Sequence, residues 1–136
     1  MNLYGLNWSK KPIKTIEKAI VLESEKSVLQ YITAFGLDNC IAVACCGSNI
    51  SAFQINSLIN AGAKEIIVAF DRQFQEIGDD EFKKLKSKIL RLAKRYGNYV
   101  GISSIFDKNM ITSYKAGPLD EGVDKFLQLY KERIIL

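Results

Sequence analysis

The sequence predicts an α/β domain: a mainly parallel sheet of four strands between layers of helices. Three observations carry this. Short, nearly unbroken apolar runs recur at Ala19 to Leu22, Cys40 to Cys45, Glu65 to Phe70 and Tyr99 to Phe106, the pattern of strands buried on both faces. Between them, apolar residues fall three and four apart, the period of an amphipathic helix. Strands separated by helices need crossover connections, which parallel pairing accommodates and short hairpins do not. The 136 residues suit one domain spanning 1–136, in which 1–18 form a lead-in helix or arm.

Each element has its own signals. Ser24 caps a helix whose apolar face is Val28, Tyr31, Ile32 and Phe35, and Gly36 stops it. Ser51 and Gln54 have the spacing of a capping box, opening a helix with Ile55, Leu58 and Ile59 inward and Gly62 at its end. Asp79 opens the longest helix, striped by Phe82, Leu85, Ile89, Leu92 and Tyr96, with Gly97 as a left-handed cap. A loop through Lys115-Ala116-Gly117-Pro118 leads to a last helix with Val123, Phe126, Leu127 and Tyr130 on one face.

Composition narrows the chemistry. With 48% hydrophobic and 25% charged residues, the chain reads as globular rather than disordered, collagenous or coiled-coil. No apolar run approaches the roughly 20 residues of a membrane span, and no signal peptide opens the chain, so a cytoplasmic location is expected. Histidine is absent, which removes serine–histidine triads, cysteine–histidine pairs and imidazole metal sites. Cys40, Cys45 and Cys46 lack zinc-site spacing and read as small buried residues. The net charge of +4 is compatible with a polyanionic partner without requiring one. Carboxylate, lysine and hydroxyl chemistry remains, together with hard, oxygen-seeking cations.

Three predicted strands end in an acid, Glu23, Asp71 and Asp107, and the other in the small loop Cys46-Gly47-Ser48-Asn49. In open α/β sheets, ligands bind beyond the carboxyl ends of the strands. Carboxylates gathered there repel one another unless a cation such as Mg²⁺ neutralises them. Asp107, followed by Lys-Asn, reads as a cap or turn residue, whereas apolar strands deliver Glu23 and Asp71 to the rim as functional groups. The basic residues Lys83, Lys84, Lys86, Lys88, Arg91, Lys94 and Arg95 read as the solvated face of the long helix rather than as a phosphate-facing stripe. Lys115, before the last helix, and the Gly47-Ser48 loop are candidate phosphate contacts.

At these positions the sequence resembles the TOPRIM domain, the catalytic fold shared by topoisomerases, bacterial-type primases and some nucleases, and is nearest its primase-like members. Leu3-Tyr4-Gly5-Leu6 with Lys10-Lys11 is similar to the primase lead-in. Ile20-Val21-Leu22-Glu23-Ser24 is similar to the glutamate motif, Ala44-Cys45-Cys46-Gly47-Ser48 to the small-residue loop, and Ala69-Phe70-Asp71 to the start of the aspartate motif. Lys115-Ala116-Gly117-Pro118-Leu119-Asp120-Glu121-Gly122 resembles the late Lys-Asp-x-Pro-x-Asp-x-Gly element.

The resemblance implies a three-layer Rossmann-like TOPRIM fold. It implies catalytic roles for Glu23 and Asp71, Mg²⁺ or Mn²⁺ held by Glu23, Asp71 and Asp120, and phosphate contacts from Gly47, Ser48 and Lys115. The implied activity is nucleotidyl transfer, as in primer synthesis during DNA replication, on a single-stranded DNA template with nucleotides and a helicase or other replication protein as partners. Two departures from the motif remove negative charge: Gln73 replaces the second acid of Asp-x-Asp, and Ala116 replaces an acid in the late element. Asp79, Asp80 or Asp107 are the acids that could substitute. The competing expectations are a non-catalytic nucleic-acid or protein interaction module with a degraded metal site, and a metal-dependent nuclease. A phosphoacceptor domain using Asp71 is a remoter one.

Overall fold

The computed structural model describes residues 3–47 and 49–136. Five strands, β1 (Lys18–Leu22), β2 (Ala42–Ala44), β3 (Glu65–Ala69), β4 (Gly101–Ser104) and β5 (Ile134–Ile135), alternate with helices α1 (Leu6–Ile16), α2 (Glu25–Phe35), α3 (Ala52–Asn60), α4 (Asp80–Tyr96) and α5 (Val123–Lys131). The strand order is β2-β1-β3-β4-β5. The first four strands are parallel, and β5 lies antiparallel to β4. Residues of α3 and α4 line a common groove on one face, while α2 and α5 meet through Tyr31 and Phe126 on the other, ring centroids 5.9 Å apart. This is the expected α/β sandwich. Its fifth strand was not expected, because two isoleucines at the end of a helix leave no alternation to read.

The helix starts form as their sequences dictate. Ser24 accepts the Ser27 N–H at 3.3 Å. Ser51 and Gln54 exchange both capping-box bonds, at 3.0 and 3.1 Å. Asp79 accepts the Phe82 N–H at 2.8 Å. The strands are shorter than their apolar runs, although pairing continues past their ends: Ile20 N–H bonds to the Ile41 carbonyl, and Cys45 N–H to that of Leu22. Inside the sheet, Ala19, Val21, Leu22, Ile66, Ile67 and Val68 are buried completely.

Two local expectations are corrected. Gly97 ends α4 in right-handed geometry at φ −62°; glycine suits the position because a Cβ would sit 2.4 Å from the Ala93 carbonyl oxygen. In α5 the buried residues are Phe126 and Leu129, while Val123 and Leu127 are exposed. Phe126 packs between Tyr31 and Phe35 of α2, which fixes the rotation of this short helix about its axis. Of the cysteines, Cys40 and Cys45 are buried as expected and Cys46 is exposed. The lead-in segment is largely helix, and before it Tyr4 exchanges two backbone hydrogen bonds with Ala44, at 2.9 and 3.0 Å, beside β2. No described helix is long and apolar enough to cross a membrane.

Candidate active site at the carboxyl end of the sheet

Parallel register brings the candidate residues together. Leu22 is level with both Ala44 and Ala69, so β1, β2 and β3 end along one line. Glu23 follows directly on β1, Asp71 lies two residues beyond β3, and Cys45 to Gly47 leave β2 beside them. The two acids expected to act together meet at this rim. Glu23 receives the Gln73 side-chain amide at 2.5 Å and the Asp71 backbone amide, and its carboxyl group lies beside that of Asp71.

Their electrostatics follow from this crowding. Burial, and then the charge of Asp71, push the Glu23 carboxyl up to about 7. Asp71 is also raised. Burial is the main cause and Asp120 adds to it, while hydrogen bonding with Glu23 and the Lys26 charge act in the opposite sense. Asp71 Oδ1 is buried and accepts no hydrogen bond. Such an orphan acceptor is costly in a folded protein.

Asp120 arrives from the loop before α5. Gly117 lies between the two aspartates: a Cβ there would be 3.0 Å from Asp71 Oδ1 and 3.4 Å from Asp120 Oδ2. Asp120 accepts the Gly117 N–H at 2.8 Å, the Gln30 amide at 3.1 Å and the Lys26 ammonium at 3.1 Å. Burial alone would raise its carboxyl, but these three donors outweigh burial and hold it below the ordinary aspartate value.

The loops carrying Asp71 and Asp120 are tied together. Arg72 N–H donates to the Ala116 carbonyl and Lys115 N–H to that of Arg72, at 3.0 and 2.8 Å. The Arg72 guanidinium donates to the carbonyls of Phe74, Gln75 and Thr112, at 3.0, 2.8 and 2.6 Å. Beneath, Phe74, Phe82 and Phe106 form a cluster with centroids 5.0 to 5.5 Å apart.

The three acids expected as possible substitutes, Asp79, Asp80 and Asp107, stand elsewhere. Asp107 is buried and accepts from the Ile111 and Thr112 amides and the Thr112 hydroxyl, at 2.8, 2.9 and 2.5 Å. It is the turn residue expected. Asp79 caps α4 and also accepts from the amides of Gln75 and Glu76. Asp80 lies in the exposed first turn of α4.

Lys115 is exposed at φ +65°, its ammonium 5.5 Å from the Tyr114 ring centre. Gly47 is exposed, and its carbonyl accepts the Cys45 thiol at 3.0 Å; burial pushes that thiol up to about 11, so it is neutral and unreactive at physiological pH. Ser48 lies outside the described residues. Sequence reasoning missed Lys26, Gln30, Arg72 and Gly117, residues that surround and brace the acids, and did not foresee the bond from Gln73 to Glu23. For Lys26 and Gln30 the signal was a spacing of four, which puts both on one side of α2.

Among the described residues, no three acidic or thiol side chains are grouped as a ready-made metal centre. The donors nonetheless fit a magnesium-type ion, which takes one or two carboxylates and completes its shell with water and substrate oxygens. The unpartnered Asp71 oxygen is a donor of the required kind.

No family model matches the chain. It is 33% identical over 141 aligned residues to an SPbeta prophage-derived uncharacterized protein, YorJ, of Bacillus subtilis; the alignment covers 98% of this chain and 37% of that protein. The chain therefore spans well under half the length of this relative. Among solved structures, it superposes on the Aquifex aeolicus primase (zinc-binding and RNA polymerase domains) with a TM-score of 0.66 and 22% identity, covering 98% of this chain and 30% of that one. The RNA polymerase domain of Mycobacterium tuberculosis primase DnaG, in complex with double-stranded DNA, gives a TM-score of 0.66 and 18% identity, covering 97% and 39%. The chain has the fold of a segment of the primase polymerase region.

Proposed function

We propose that residues 1–136 form a single primase-like TOPRIM domain that binds a divalent cation and nucleic acid and supports nucleotidyl transfer, as in primer synthesis during DNA replication. The observation that carries this reading is the buried, unpartnered Asp71 Oδ1 beside the Glu23 carboxyl and Asp120, at the end of the sheet where ligands bind in such folds. The primase fold supports it, as does the DNA in the mycobacterial complex.

Asp71 and Glu23 would hold Mg²⁺ or Mn²⁺, with Asp120 completing the carboxylate set once it releases Lys26. The ion would neutralise charge on the oxygens of the reacting phosphate. With the ion bound Glu23 is a carboxylate, and it would accept a proton from the attacking oxygen. Gln73 orients that carboxyl. Lys115 and the Gly47-Ser48 loop would position phosphates of the nucleotide and of a single-stranded template. A helicase or other replication protein is the partner this reading implies.

Two experiments test it. Titration calorimetry with Mn²⁺ should give one binding event that Asp71→Ala abolishes; equal heats from both proteins would reject the site. Primer synthesis on single-stranded DNA with Mg²⁺ should be lost in Glu23→Gln, and activity shared by both proteins would reject the role of Glu23.

A further inference from the structure

On the α3–α4 face lies a groove of about 280 Å³. Its wall on α4 carries Lys88, Arg91 and Arg95, and none of the described residues lining it is an acid. These positions are three and four apart, so they form one stripe that rises about 10 Å along the helix. Arg91 and Arg95 are exposed, and among the described residues neither has a carboxylate within ion-pair distance. The Arg91 Nε donates to the Ser87 carbonyl at 3.4 Å, and the Arg95 guanidinium lies 5.5 Å from the centre of the Tyr96 ring. Both keep donors open to solvent.

The opposite wall is the start of α3 at Ser51 and Ala52, and Phe70 forms part of the lining. The N-terminal end of α3 adds positive potential to that of the arginines. Phe70 immediately precedes Asp71, so the groove's lining and the acidic rim are carried by consecutive residues after β3. Two arginines without counter-charges over partly apolar walls concentrate a positive field. Their forked guanidinium groups match phosphate geometry.

We propose that this groove binds successive backbone phosphates of a nucleic-acid strand and leads the strand toward the acids. The proposal deepens the primase-like reading by assigning a path to the polynucleotide. It also revises the sequence-based view of the basic stripe: part of it lines a groove rather than only facing solvent.

The experiment measures binding of fluorescent oligothymidylate by anisotropy, in EDTA and over a range of KCl concentrations. The expected result is that Arg91→Gln/Arg95→Gln weakens binding about tenfold. The slope of log affinity against log salt should flatten by about 1.4, or roughly 0.7 for each phosphate contact. Lys83→Gln/Lys94→Gln removes the same charge from the same helix outside the groove, and should change affinity less than about twofold. Equal losses in both variants, no loss in the arginine variant, or no binding by the parent protein would each overturn the proposal. Arginine-dependent binding of inorganic tripolyphosphate without oligonucleotide binding would also overturn it, pointing instead to a nucleotide tail. Because EDTA removes divalent ions, failure of the groove is distinguishable from failure of the metal site, which Mn²⁺ calorimetry on the same variants reads separately.

Discussion

The Gln73 amide donates to the Glu23 carboxylate at 2.5 Å across fifty positions of sequence, joining the loop after β3 to the end of β1. Where the resemblance to TOPRIM domains led to the expectation of a second aspartate, residue 73 is a neutral donor. The exchange turns a repulsive contact into a bonded one, and it removes a charge that would otherwise draw in a cation.

Gln73→Asp should therefore act in two opposite directions. Without metal, a second charge beside Glu23 and Asp71 should lower stability by about 1 kcal/mol, read by urea unfolding in EDTA. Mn²⁺ affinity should rise about tenfold in calorimetry, since one more hard oxygen is supplied. An unchanged Mn²⁺ affinity would mean that residue 73 does not face the ion.

Glu23→Gln should stabilise the metal-free protein in a pH-dependent way. The folded carboxyl titrates near 7 rather than at its ordinary 4.5, so between those values the folded state holds the extra proton. Stability of the parent protein thus falls as pH rises through this window, and the penalty is complete above about 7. Discounted for partial solvent exposure, the gain from Gln at pH 8 should be on the order of 1 kcal/mol and should vanish below pH 4.5. Thermal melts in EDTA at pH 4, 6 and 8 check this, and a gain independent of pH contradicts it.

Gly117→Ala should separate binding from stability. The backbone here is not left-handed, so alanine itself tends to stabilise by about 0.4–1 kcal/mol. Its methyl group, however, would meet Asp71 Oδ1 at 3.0 Å. The expected outcome is Mn²⁺ affinity lowered about tenfold with unfolding free energy changed by less than about 1 kcal/mol. Full affinity would show that Asp71 binds from another direction.

Arg72→Lys keeps the charge but cannot reproduce three guanidinium bonds to the carbonyls of Phe74, Gln75 and Thr112. A loss of about 1–3 kcal/mol is expected in urea unfolding. Because Arg72 braces the loop that carries Asp71, Mn²⁺ affinity should fall as well, even at temperatures where the variant is fully folded. Loss of stability with intact affinity would make Arg72 a fastener alone.

Where chemistry is local, the sequence was readable. Ser24, Ser51 and Asp79 cap their helices because each cap depends on residues within one turn. The meeting of Glu23 and Asp71 was also readable, because parallel strands that end level must deliver the residues after them to one edge. The end of the sheet was not readable, since β5 depends on pairing with Ser103 and Ser104 some thirty residues earlier. Nor were the partners of the acids: Gln73 with Glu23, and Lys26 and Gln30 with Asp120, are contacts between distant segments without a periodic signature. The rotation of α5 escaped because one aromatic, Phe126, decided it against the apolar count.

The short Tyr4 pairing at one margin of the sheet and the two-residue β5 at the other mean that neither outermost long strand presents a free row of amides and carbonyls. Self-recognition through strand addition is thereby discouraged. Removing residues up to Gly5 would uncover the Ala44 amide and carbonyl, and the shortened protein should associate edge to edge more than the parent does.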